Sequence, residues 1–378
     1  MISKVKLRNF KCYADHEFSF SNLTVFCGNN SVGKSTAIQS MLLAIQGDFS
    51  ETDIPINGEF VSIGTYSDIH KRNADEDSVY FEIGNENGSY TWGHDLDDLD
   101  DPHYVEKDYS KRKAAMDEQP LPLMKVKGDG CDSIKKCLKN NFQYLSAERL
   151  GPKSYYPYSH KRRALNWLGT QGEYCAQVLS DIGSLGDLIE NDPRRHENAR
   201  VLSVSNNIHE WMGDISPGVF VSSTSIKQAD IATTLFEFNS EGYRPFNVGF
   251  GLSYALPIIM ALLMTKPGGL VIIENPEAHL HPKGQSYLGR LIALAAQSGV
   301  QVIVETHSDH VINGIRLMPR LGLVDCSKIT IYQVFSSTEG SEVQDIFVDD
   351  KGQLSEWPEE FFDQHLIDMD IMMKGKDK

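Results

Sequence analysis

No run of about 18 consecutive apolar residues occurs in the chain, and the opening MISKVKLRNF enters an alternating strand pattern instead of a signal-peptide core. The expectation is a cytoplasmic protein with no membrane contact. Cysteine is sparse and scattered: Cys12, Cys27, Cys131, Cys137, Cys175 and Cys326 form no CxxC pair, which argues against a disulfide framework or a zinc knuckle. Basic residues are in deficit, with Lys+Arg 36 against Asp+Glu 52 and a formal charge of −16. A surface that coats nucleic acid throughout is therefore excluded, since phosphate binding needs clustered Lys and Arg. Short basic runs at Lys111, Arg112 and Lys113, at Lys135, Lys136 and Lys139, and at Lys161, Arg162 and Arg163 read first as solvated loops and leave room for local DNA contact. No sustained heptad seam and no internal repeat are present, so long coiled-coil arms are excluded.

What the chain does have is 378 residues of ordinary globular composition, 40% of them hydrophobic. Three stretches differ in texture. Residues 1–94 read as strand, hairpin, strand, Gly-rich loop and helix, followed by short β-like pieces between Asn, Gly and Asp turns. Residues 95–230 read as an insertion, polar and irregular to about 141 and more helical from about 160 to 213. Residues 231–378 alternate strands with helices, the mark of a parallel sheet. The fold class expected is α/β, with a mixed or parallel sheet, an antiparallel β subdomain and a helical insertion.

Chemistry concentrates at two places. Gly28-Asn-Asn-Ser-Val-Gly33-Lys34-Ser35 fits GxxxxGK[ST] after the β-rich run LTVFC and at the start of the helical STAIQSMLLAIQ. Glycines let the backbone turn its N–H groups toward phosphates, Lys34 neutralises β/γ charge, and the Ser35 hydroxyl ligates Mg²⁺. Asn29, Asn30, Ser31, Gly33 and Thr36 complete that cradle for ATP. The second place is Leu270-Val-Ile-Ile-Glu274, an apolar strand ending in a carboxylate. Buried parallel strands deliver their C-terminal residues to the crevice where ligands bind, so Glu274 is expected to hold Mg²⁺ or its water. His307 ends another buried strand and reaches the same crevice; the alternative is a core or capping histidine. Glu277, His279 and His281 admit a metal-cluster reading, against which Pro282 reads as the first residue of a helix preceded by a turn.

Together with Asn275-Pro-Glu-Ala-His-Leu-His-Pro282 and Glu305-Thr-His-Ser-Asp309, these motifs resemble the ABC-type ATPases of the RecF/SMC/OLD group, more narrowly their compact bacterial members described as AAA family ATPases. LRNFKCY at 7–13, YLSAERLGP at 144–152, NVGFGLS at 247–253 and WPEEFFDQ at 357–364 extend the resemblance over nearly the whole chain. The resemblance implies an ATPase head that pairs into a homodimer or a higher even oligomer around ATP and Mg²⁺. It implies that Arg8, Phe10 and Lys11 lie beside the nucleotide, and that Gly249, Gly251 and Ser253 form a signature motif facing the γ-phosphate of the opposite subunit. His307 becomes a switch histidine. Relatives of this kind belong to DNA repair or phage-defence operons and work with a separate nuclease or toxin, which makes such an effector the implied partner.

Two departures from that pattern bear on mechanism. The residue after the strand carboxylate is Asn275 where a glutamate is usual, and an amide orients water without accepting its proton. Either Glu277 or His307 serves as base, or hydrolysis is slow. No Q-loop glutamine is identifiable; IGTYSDIHK at 63–71 offers Ser67, Asp68 and His70 in its place. The chain shows no TOPRIM-like acidic set and no HNH-type cluster, so a nucleotide-gated switch acting through a partner is the leading reading. An ATP-bound scaffold that restrains a toxin and a stand-alone P-loop kinase are the alternatives, the last disfavoured by NVGFGLS.

Overall fold

A computed structural model describes residues 1–76, 78–95, 120–160, 166–181, 185–338, 340–356 and 364–374. Its central sheet has six strands in the order Gly340–Phe347, Ile329–Ser337, Leu23–Cys27, Gln301–Glu305, Leu270–Glu274 and Phe142–Leu145. The first is antiparallel to its neighbour and the other five run parallel. Strands Leu23–Cys27 and Gln301–Glu305 are buried along their whole length, as parallel strands covered on both faces require, which explains their unbroken apolar texture. Parallel pairing also brings every C-terminal strand end to one edge of the sheet, and the candidate site lies there.

On one face, helix Lys34–Gln46 sits between the central sheet and a second, antiparallel sheet. That sheet has the order Tyr13–Ser19, Lys4–Phe10, Ser78–Asn85, Gly88–Asp95, Leu121–Gly128 and Asp53–Ile54. An aromatic cluster including Phe10, Phe18, Phe26, Trp92 and Tyr332 fills the space between them. On the other face pack helices Val204–Ile215, Phe250–Met264, Pro282–Gln297 and Asp309–Arg320. A small third sheet, Phe220–Ile226, Ile231–Phe238 and Glu241–Tyr243 with Tyr156–Pro157 at its side, joins that layer.

The stretch 95–230 departs from the sequence reading. Strand Phe142–Leu145 is an edge of the central sheet, pairing Gln143 with Val271 and Leu145 with Ile273, so a strand of that sheet lies inside what reads as an insertion. The supposedly irregular part holds strand Leu121–Gly128 and helix Asp132–Leu138. The supposedly helical part has, among the described residues, the short helix Cys175–Ser180 and, from Val204, the helix to Ile215; between them lie turns at Gly186 with φ 71° and at Pro193. The basic runs at 111–113 and 161–163 and nearly all of WPEEFFDQ fall outside the described residues. Among the described residues, no helix is long and apolar enough to cross a membrane.

Candidate active site

The loop after strand Leu23–Cys27 is shaped by backbone constraints that only glycine meets. Gly28 has φ 130°, and a Cβ there would lie 2.1 Å from the Val334 carbonyl oxygen of the neighbouring strand. Gly33 takes φ 107° as the residue that opens helix Lys34–Gln46. Asn29, Asn30 and Ser31 form the exposed rim. Lys34 is buried and its ammonium donates to the carbonyls of Gly28 (3.1 Å) and Asn29. Burial lowers its pKa, while Glu305 foremost and then Cys27 and Glu277 raise it. A buried ammonium held by two loop carbonyls is a site with spare positive charge, which suits an incoming phosphate.

Ser35 donates its hydroxyl to Glu305 Oε2 at 2.8 Å. Glu305 is the carboxylate that the sequence reading left without a role, yet its signal was there: VQVIVE is an apolar strand ending in an acid, just as LVIIE is. The two strands pair in register, so Glu274 and Glu305 are partners at the same sheet edge. Glu274, expected at the metal, is instead held by the Tyr144 hydroxyl (3.1 Å) and the Ala147 amide (3.1 Å). Burial raises the pKa of both carboxylates, and the charge of Glu274 raises that of Glu305 further. Hard oxygen donors on Ser35 and Glu305, with excess negative charge behind them, fit a small divalent cation.

The turn after Glu274 is clamped. Asn275 adopts φ 46°, donates its amide to the Glu305 carbonyl (2.8 Å), and leaves its buried Oδ1 without a partner. Glu277 uses both oxygens, accepting from the Thr306 hydroxyl (2.7 Å) and the His307 amide (2.8 Å). His307 has its pKa lowered by desolvation first and by Lys34 second, against the raising effects of Glu277 and the Gly28 backbone. Its ring lies beside the loop, at the Gly28 backbone. His281 caps helix Pro282–Gln297 by accepting from the Lys283 amide, with Pro282 in the first turn as expected. His279 packs against the Tyr254 ring at 4.5 Å. The Glu277, His279 and His281 trio is thus split among three tasks, and no group of three metal-ligating side chains occurs among the described residues.

A cleft of about 1250 Å³ opens beside the loop, lined by Arg8, Lys11, Gly33, Ser35, Thr36 and Gln39 among others. Arg8 is paired with Asp15 (2.9 Å) and Glu76 (2.6 Å), which raise its pKa. Lys11, in a left-handed turn at φ 54°, donates to Gln39 at 2.7 Å. Ser67, Asp68 and His70 also line this cleft, so 63–71 borders it; Asp68 is engaged in a capping box with Thr65. Thr36 is buried and accepts from the Cys12 thiol (3.5 Å).

Gly249 and Gly251 lie elsewhere, in a separate groove of about 430 Å³ with Asn247, His279 and His281. The two cavities share no lining residue. Ser253, expected to present its hydroxyl outward, is only 7% exposed and faces an inner gap beside Tyr156, Phe236 and Pro257. Four residues into helix Phe250–Met264, whose sequence is apolar nearly all round, it falls on the packed face. The outward groups are Phe246 (56% exposed), Asn247, Gly249 and Phe250 (52%).

Comparison with known proteins gives three family matches: an AAA ATPase domain over residues 1–166, an AAA domain described as putative AbiEii toxin, Type IV TA system over 172–313, and a protein of unknown function over 328–371. An OLD nuclease of Thermus scotoductus is 22% identical over 345 residues, which are 82% of this chain. The chain spans 59% of that relative's length. Among solved structures, the SMC head domain from Thermotoga maritima is 12% identical with a TM-score of 0.45, covering 92% of this chain and 99% of its own. An Smc head domain derived from Pyrococcus furiosus, bound to the C-terminal domain of ScpA, is 13% identical with a TM-score of 0.47, covering 99% of both chains.

Proposed function

We propose that the chain, as an ABC/AAA-type ATPase of the RecF/SMC/OLD group, binds and slowly hydrolyses ATP, and that ATP pairs two copies into a switch. The observation that carries this reading is the Ser35 to Glu305 hydrogen bond at the mouth of the Gly28 to Thr36 loop. Phosphate charge is met by the buried Lys34 and by loop N–H groups at a helix N-terminus. Ser35 and Glu305, with Glu274 behind, would hold Mg²⁺, which would supply positive charge against the phosphates. Arg8, Lys11 and Gln39 border the space left for the nucleoside.

Slow turnover follows from what surrounds the attacking water. Asn275 stands directly after the strand carboxylate, where its amide can take no proton from the attacking water. Glu277 is already committed to Thr306 and His307, and the lowered pKa of His307 weakens it as a base. The absence of any signature residue from the loop's own cleft favours engagement by a second copy, and Phe246 and Phe250 give that contact exposed apolar area. A long-lived ATP-bound pair suits a scaffold that restrains or releases a separate effector. The name of the Thermus scotoductus relative and the toxin description of the matched model favour a nuclease or toxin in phage defence or DNA repair, with DNA engagement open to test. Equilibrium ATP binding with and without Mg²⁺, followed by single-turnover hydrolysis, tests the site. Magnesium-dependent binding with slow turnover is expected, and no ATP binding contradicts it.

A further inference from the structure

Arg149 is 3% exposed and belongs to no motif whose chemistry is yet accounted for. Its guanidinium donates to the carbonyls of Ser146 (3.0 Å), Glu274 (2.6 Å) and Asn275 (2.5 Å), leaving its buried Nε without a partner. No carboxylate among the described residues pairs with it directly. A buried cation bound only to carbonyls is costly, so the position calls for a reason beyond packing. The same group lies 5.6 Å from the centroid of Tyr254, on the helix that carries the signature glycines. Tyr254 packs on His279 at 4.5 Å, and Gly251 approaches so closely that a Cβ there would meet the His279 carbonyl at 2.6 Å.

We propose that Arg149 is a positioning residue that makes the Glu274 strand end, the Asn275 turn and the signature helix one mechanical unit. Asn275 is then held from both sides, its amide on Glu305 and its carbonyl on Arg149, in the left-handed conformation that aims its side chain. A shift at the phosphate end moves Arg149, and Arg149 moves Tyr254 and the face that meets the second copy. The inference rests on the ATPase reading above and adds a route between its two surfaces.

Arg149→Lys keeps a charge and loses the fork that reaches three carbonyls and a ring together. With Tyr254→Leu and the double variant it forms a double-mutant cycle. Arg149→Lys is expected to bind ATP with near wild-type affinity while kcat and ATP-driven pairing fall by about 10–100-fold. Tyr254→Leu should shift both in the same direction, and the double variant should fall no further than Arg149→Lys alone. Wild-type kcat and pairing in Arg149→Lys, or additive losses in the cycle, overturn the proposal while leaving the ATPase reading intact. A wild type that fails to bind ATP removes the premise and the proposal together. If Arg149→Lys does not fold, Tyr254→Leu decides alone: wild-type kcat and pairing in that variant overturn the route.

Discussion

Glu274 and Glu305 are register partners on adjacent parallel strands, and it is Glu305 that takes the Ser35 hydroxyl while Glu274 is held by Tyr144 and Ala147. The pair divides two tasks. Glu305 faces the phosphate loop, and Glu274 ties that edge to the segment after strand Phe142–Leu145. Glu305→Gln should therefore weaken magnesium-dependent ATP binding by about 10–100-fold, with a smaller loss for Glu274→Gln. Titrating Mg²⁺ against a fixed fluorescent ATP analogue in both variants checks the order; a larger loss in Glu274→Gln reverses the assignment.

Lys34→Ala should abolish ATP binding, because the loop carbonyls of Gly28 and Asn29 would then face phosphate with no cation between them. Calorimetry on the variant checks this. Micromolar affinity retained there contradicts the phosphate site.

The two raised carboxylates predict a pH-dependent response to magnesium. A folded-state pKa above the ordinary 4.5 means the folded protein binds more protons than the unfolded chain between those two values, so stability without ligand falls as pH rises through that window. Mg²⁺ at Ser35 and Glu305 would favour the ionised form of Glu305 and offset its burial penalty. The rise in melting temperature produced by ATP and Mg²⁺ should thus grow as pH increases above 4.5 toward neutrality, and Glu305→Gln should flatten the trend. Scanning calorimetry across that range, with and without ligand, is the check.

Asn275→Glu should speed hydrolysis by placing a proton acceptor where the side chain is now an amide. Glu277→Gln should have a modest effect, since Glu277 holds Thr306 and the His307 amide instead of a water. Single-turnover rates compare the variants. Fast wild-type turnover that Glu277→Gln destroys would make Glu277 the base. Repulsion of the introduced carboxylate by Glu274 and Glu277 would then leave Asn275→Glu slower than wild type.

The shape of the Gly28 to Thr36 loop was legible in the sequence because its demands are local: glycines, lysine and serine at fixed spacing. Strands Leu270–Glu274 and Gln301–Glu305 were legible as apolar runs. What escaped was set by pairing across distance. Strand Phe142–Leu145 belongs to the central sheet only because Leu270–Ile273 lies beside it, far along the chain, and Leu121–Gly128 is exposed over most of its length, so no buried apolar face sets it apart. Strand Gly340–Phe347, also largely polar, was missed for the same reason, though Ser341 beside Gly33 helps to wall the loop. Ser253 was misplaced because a helix that is apolar nearly all round gives no periodicity from which to choose its outward face.

ATP-driven pairing is the central claim, and sedimentation of the wild type beside Gly249→Arg tests it most directly. Gly249 is exposed at the head of the signature helix with open space where a Cβ would stand, so the substitution obstructs a second copy without straining its own fold. The wild type should double its mass with ATP and Mg²⁺, and Gly249→Arg should bind ATP and stay single. The same mass with and without nucleotide in the wild type, or a Gly249→Arg that pairs as readily, would contradict the account.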